Sequence, residues 1–248
     1  MIAPAEQDLL RAWEDASVQH PLDRALTLLR TAWPERARGE LARISVGARD
    51  SLLLSMRERL FGRSLRAVAD CPECAEALEL ALTTSGLRAA PELDTAAPPA
   101  EQLLEVDGVR VRFRLIDSHD LAAALPCDGV AAARRVLLDR VVIAAHCGDE
   151  PIEELSPEIE ARLEERMAEL DPQADIVLDL TCPQCRARWQ EPFDVLRFLW
   201  SDLDGWARRL FREVDVLARA YGWREADVLA LSPRRRRTYL ELATGGAG

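Results

Sequence analysis

The chain carries one four-residue knuckle twice, as Cys71-Pro72-Glu73-Cys74 and again as Cys182-Pro183-Gln184-Cys185. A C-x-x-C turn puts two sulfurs on one side of a tight loop, and the proline presets the turn backbone. Two such knuckles facing each other supply the tetrahedral four-sulfur shell that zinc prefers, with no coordination position left open. The reading is therefore one structural zinc ion per chain, held by Cys71, Cys74, Cys182 and Cys185. The 107 residues between the knuckles far exceed an ordinary ribbon spacer. Closing such a loop costs roughly 4 kcal/mol, against about 10–16 kcal/mol available from a structural zinc site, so the metal can staple two distant hairpins. The competing reading is a redox pair. A redox C-x-x-C belongs at the start of a helix after a strand, whereas both knuckles lie between strand-like runs.

Those runs alternate apolar and polar residues: Ala77 to Leu82 after the first knuckle, Val109 to Leu115 beyond the Asp107-Gly108 turn, and Ile176 to Leu180 before the second knuckle. Gly86 to Gln102, rich in proline and alanine, reads as a mobile loop. Outward from the strands the period changes to that of helices. Leu9, Leu10, Trp13 and Ala16 share one face, Leu22, Ala25, Leu26, Leu29 and Trp33 another, and Leu52, Leu53, Met56 and Leu60 a third that stops at Gly62. Helical signals return from Ser118 to about Cys147 and from Pro157 to Leu170, and everything after Phe193 is helical. The expected fold is α+β and mainly α. Helical regions at 1–66 and 193–248 flank a zinc-ribbon-like β module at 67–117 and 172–192, which a helical insert at 118–171 interrupts.

Composition narrows the chemistry. The chain has 248 residues and a net charge of −11, and all 32 basic residues are arginine, with no lysine or asparagine. Without lysine there is no phosphate-loop lysine and no Schiff base. His20, His119 and His146 are scattered and form no metal-protease motif, so no nucleophile–base–orienter set emerges and the chain reads as a non-enzyme. Cys127 and Cys147 lack C-x-x-C partners and read as small buried residues. The amino terminus has neither the basic segment nor the apolar run of a secretion signal, and no apolar stretch approaches the ~20 residues of a membrane span. A cytoplasmic protein with no membrane contact follows. Its net charge also speaks against nucleic-acid coating.

The charge is uneven. Residues 1–148 carry −4, residues 149–204 carry −11 and residues 205–248 carry +4. The acidic middle and basic tail either neutralise each other inside the fold or face partners. Nine of the 13 aromatic residues follow position 188. Leu203, Trp206, Leu210, Val214, Leu217 and Tyr221 form a core stripe of one helix, whereas Trp200, Phe211 and Trp223 lie off it, as a second buried face or a binding surface, with core the favoured reading. Ser232 and Pro233 read as cap and first residue of a last helix that begins Arg234-Arg235-Arg236-Arg237. Four cations at the positive end of the peptide dipoles are locally unfavourable and imply an acidic counterpart. Arg234, Arg235, Arg236 and Arg237 with Trp223 are the expected partner-binding surface.

Several segments together resemble a known family: Pro21 to Leu26, Gly47-Ala48-Arg49-Asp50, Arg57 to Gly62, the two knuckles, Phe193 to Trp200, and Tyr221-Gly222-Trp223 through Tyr239-Leu240-Glu241-Leu242. They are similar to the baseplate hub assembly chaperones of contractile phage tails and phage-tail-like injection systems. The carboxyl-terminal segment is the most specific part. The resemblance implies a non-enzymatic cytoplasmic assembly factor whose partners are baseplate or hub proteins. The alternative is a zinc-ribbon regulator that binds nucleic acid through Arg234 to Arg237.

Overall fold

A computed structural model describes residues 4–89 and 101–245. Most of the expected loop at 86–102, and the first three residues of the amino-terminal reading, lie outside them. The architecture is α+β and mainly α, 54% helix and 19% strand.

The largest core lies among helices from both ends of the chain. The first four are α1 (Glu6–Ser17), α2 (Pro21–Ala32), α3 (Arg38–Arg43) and α4 (Val46–Phe61), and α8 (Val195–Tyr221) joins them from the carboxyl-terminal third. The faces picked out by helical period converge: Leu9 of α1, Leu29 of α2, Leu53 and Met56 of α4, and Leu199 and Leu203 of α8 are buried together. Pro21 starts α2 at a position where its missing N–H is not needed. Gly62 ends α4 at φ 86°, a conformation that side-chain-bearing residues avoid. Arg57, buried in α4, donates to Asp202 of α8 at 3.0 Å and ties the two halves electrostatically.

From this body grow two separate antiparallel hairpins. The first pairs β1 (Ser64–Asp70) with β2 (Ala77–Thr83), and the last pairs β7 (Val177–Thr181) with β8 (Arg188–Pro192). Leu65 is buried in the body's core, with Leu82, Ile176 and Leu178 packed against it, so the roots of both hairpins are anchored.

The middle of the chain differs from expectation in two ways. The segment read as helical from Ser118 to Cys147 contains α5 (Ser118–Ala124) and α6 (Val130–Val141) but then becomes a strand, β5 (Val142–Cys147), followed by the two-residue β6 (Glu150–Pro151). The β-branched run Val141-Val142-Ile143 favours extended backbone, and β5 pairs along β4 (Val109–Phe113). The strands at 102–113, assigned from sequence to the zinc module, belong instead with this region: β3 (Gln102–Val106), β4, β5 and β6 make one four-stranded sheet. Val109, Val111 and Phe113 alternate onto its inner face and pack with Ile159 and Leu163 of α7 (Pro157–Leu170) in a second core. The insert is thus α+β rather than helical.

A polar junction joins this unit to the helical body. Asp171 accepts from Ser45 Oγ at 3.1 Å and from the Gly47 backbone N–H at 2.9 Å, capping the start of α4. A Cβ at Gly47 would lie 2.1 Å from Asp171 Oδ1, so no larger residue fits there.

Candidate metal centre

Each knuckle closes the tip of one hairpin, and the two tips have the same geometry. In the first, the Cys71 N–H donates to the Glu76 carbonyl and the Ala75 N–H to the Cys71 carbonyl, both at 2.9 Å. In the second, the Cys182 N–H donates to the Ala187 carbonyl at 2.9 Å and the Arg186 N–H to the Cys182 carbonyl at 3.0 Å. The residue after the second cysteine is left-handed in both, Ala75 at φ 57° and Arg186 at φ 63°. A non-glycine residue there costs about 1–2 kcal/mol, a cost met at the same position in two segments far apart in sequence.

The two tips meet. The Sγ atoms of Cys71, Cys74, Cys182 and Cys185 all lie within 4.8 Å of one another. Cys71 Sγ is 3.6 Å from Cys185 Sγ, and Cys74 Sγ is 3.6 Å from Cys182 Sγ. No disulfide links them. Cys71 and Cys182 are buried, and Cys74 and Cys185 face solvent. Such proximity sets the thiols against one another. Backbone N–H groups of Cys185 and Gln184 outweigh burial and hold Cys182 down at about 7. The Glu76 N–H draws Cys74 down, but burial and its three sulfur neighbours push it up to about 12. Four sulfurs so placed cannot all be thiolates without a cation among them, and the donor set fits a soft metal in tetrahedral coordination.

The remaining expected residues divide. Arg236 is turned inward and is 4% exposed: its Nε donates to Glu213 at 2.7 Å, and its two Nη groups to the two oxygens of Glu6 at 2.8 Å each. Its place in a partner surface is therefore corrected. It joins α10 (Pro233–Ala243) to α1 and α8, since Glu6 lies on α1 and Glu213 on α8. Internal neutralisation by the acidic stretch 149–204 is not seen at Arg236 either, since Glu6 and Glu213 lie outside that stretch. Nothing in composition singled out those two acids. Arg234, Arg235 and Arg237 are exposed.

Trp223 is half-buried, stacked on Tyr221 with ring centroids 4.7 Å apart and edge-on to Tyr239 at 4.9 Å. Trp200 packs against the main core, with the Arg24 guanidinium 4.1 Å above its ring. Phe211 stays partly exposed beside Trp13. Cys147 is exposed and Cys127 half-buried, against the expectation of two buried residues. Cys147 ends β5, paired with Val109 of β4 on one side and with Glu150 of β6 on the other. The three histidines sit on separate elements: His20 caps α2, His119 lies in the first turn of α5 and His146 lies on β5.

Sequence reasoning also missed an ionic knot in the middle unit. Asp120, fully buried, accepts from Arg114 at 2.5 and 2.8 Å, from Arg140 at 2.8 Å and from the Asp117 N–H at 3.0 Å. Burial pushes its carboxyl up, but these donors outweigh burial and hold it at about 2. No helix among the described residues is long and apolar enough to cross a membrane. Neither a family model, nor a curated protein, nor a solved structure matches the chain.

Proposed function

We propose that the protein is a non-enzymatic cytoplasmic assembly factor, a chaperone for the baseplate hub of a contractile phage-tail-like injection system, held together by one structural zinc ion at Cys71, Cys74, Cys182 and Cys185. The observation that carries this reading is the organisation of the carboxyl-terminal segment. The residues that resemble the chaperone family most closely, Tyr221 to Trp223 and Arg234 to Tyr239, fold into one aromatic unit beside exposed arginines. A surface of that kind suits protein recognition. The zinc assignment rests on sulfur spacing: a tetrahedron of ~2.3 Å metal–sulfur bonds has edges near ~3.8 Å, and the close pairs stand at 3.6 Å. Four thiolates fill the shell, so the ion supplies rigidity and no reactive water.

The test is co-purification of the tagged chain from cells that express the neighbouring tail genes, alongside metal analysis of the purified protein. Enrichment of a hub or baseplate protein and one zinc per chain are the expected results. Salt-sensitive DNA binding with no tail protein recovered would replace this reading with that of a nucleic-acid regulator. Hydrolase turnover that disappears on changing a single polar residue would overturn the non-enzymatic assignment.

A further inference from the structure

The fold splits the arginine run of α10 into one anchor and three free charges. At 3.6 residues per turn, Arg237, Arg234 and Arg235 span an arc of about 160° opposite Arg236. Arg236 is committed to Glu6 and Glu213. Arg234, Arg235 and Arg237 are exposed, and none has a carboxylate partner among the described residues. Folding gives no reason for them, since Arg234 and Arg237 are like charges three residues apart on one helix face and repel one another.

On the side of α10 that turns from Arg235 towards the anchor Arg236 lies an aromatic cluster. Tyr239 is one turn below Arg235 on the same helix, and Trp223 is clamped between Tyr239 and Tyr221. The Tyr221 hydroxyl donates to the Tyr239 carbonyl at 3.3 Å and fixes α10 against the end of α8. The arginines therefore project from a helix whose position is already fixed, with Arg235 next to the aromatic cluster, which lowers the ordering cost of binding.

We infer that Arg234, Arg235 and Arg237, backed by Tyr221, Trp223 and Tyr239, form a docking surface for an acidic segment of a partner protein. This deepens the proposed function and rests on its view of the segment as a protein-recognition surface. Carboxylates match the guanidinium fork in two-pronged pairs, which phosphate also does. Two observations favour the protein segment. The net charge of −11 repels a long polyanion while a short segment meets only the local patch. One face of Trp223 is already stacked, and Tyr239 packs edge-on to the same ring, so the platform is not laid out for bases.

The experiment measures anisotropy of a fluorescein-labelled poly-glutamate peptide titrated with the full, metal-loaded chain. A glutamine peptide of equal length and single-stranded DNA of equal charge are run in parallel. The glutamate peptide should bind and the glutamine peptide should not. The combined variant Arg234→Gln, Arg235→Gln, Arg237→Gln should weaken binding roughly tenfold or more with an unchanged melting temperature, and Trp223→Ala should weaken it too. Removing equal charge elsewhere, with Arg11→Gln, Arg30→Gln and Arg43→Gln, should change it little. Equal loss in that control, undiminished binding by the triple variant, or tighter binding of DNA overturns the inference. Self-association abolished by the triple variant would make a second copy the occupant and overturn the partner assignment. If the peptide docks here but no tail protein co-purifies, the surface stands and the baseplate reading falls. If tail proteins co-purify equally with the triple variant, the chaperone reading stands and this surface falls.

Discussion

The cysteine hairpins and the four-stranded middle sheet are both small antiparallel structures, yet they are stabilised by opposite means. In the middle sheet, β4 buries every second residue, and α7 covers that face. In the hairpins, β2, β7 and β8 contain no fully buried residue, and β1 contributes only Leu65 and Ala69. A lone two-stranded hairpin is marginal in water. Four sulfurs converge where apolar packing is missing, and the proposed zinc would there take the place of a core at the tips of the hairpins.

Removing the metal should have the largest effect and fall on one side of this comparison. Cys182→Ser with Cys185→Ser should abolish metal content and speed amide exchange throughout β1, β2, β7 and β8 while β3 to β5 stay protected. The site energy at stake, about 10–16 kcal/mol, is as large as the whole stability of a domain. Equal loosening of both sheets would show that they do not stand independently. The reciprocal change is Leu163→Ala, which leaves a cavity under the middle sheet and should cost about 2–5 kcal/mol with zinc content unaltered, as calorimetry and metal analysis would show.

Arg236→Gln should touch neither sheet. It leaves Glu6 and Glu213 without their cation and should cost about 1–3 kcal/mol, read as faster exchange in α10 alone. Acid should then separate the two regions by pH. Protons compete with the metal for thiolates, so the cysteine centre should open first. Asp120 sits below its ordinary value in the folded state, so its contribution is complete at neutral pH and is lost as pH falls from the usual aspartate range to about 2. Asp120→Asn should abolish that last step. If the middle sheet loosens before zinc leaves, the order is wrong.

The legibility of these features in the sequence follows their range. Short-period signals were readable: the three amino-terminal helix faces, Gly62 as a stop, Ser232 as a cap and the duplicated knuckle depend on residues within a few positions of one another. The helix expected to run through to Cys147 failed at Val142 because pairing with β4, a partner about thirty residues earlier, overrode a locally ambiguous apolar run. Arg236 read as one of four equivalent charges, and Glu6 lies 230 residues away from it. No local pattern carries that pairing.

By itself, then, the sequence determined the α-rich class, the element types near each strong period and the two matched C-x-x-C knuckles, since identical turn chemistry makes identical knuckles wherever they occur. Only the tertiary structure decided that the knuckles face each other, that the strands at 102–113 pair with β5 instead of the knuckle hairpins, and that one arginine of four is buried. The reason is physical. Periodicity, capping and turn chemistry are set by neighbours along the chain, whereas register, burial and ion pairing are set by whichever surfaces the whole fold brings together.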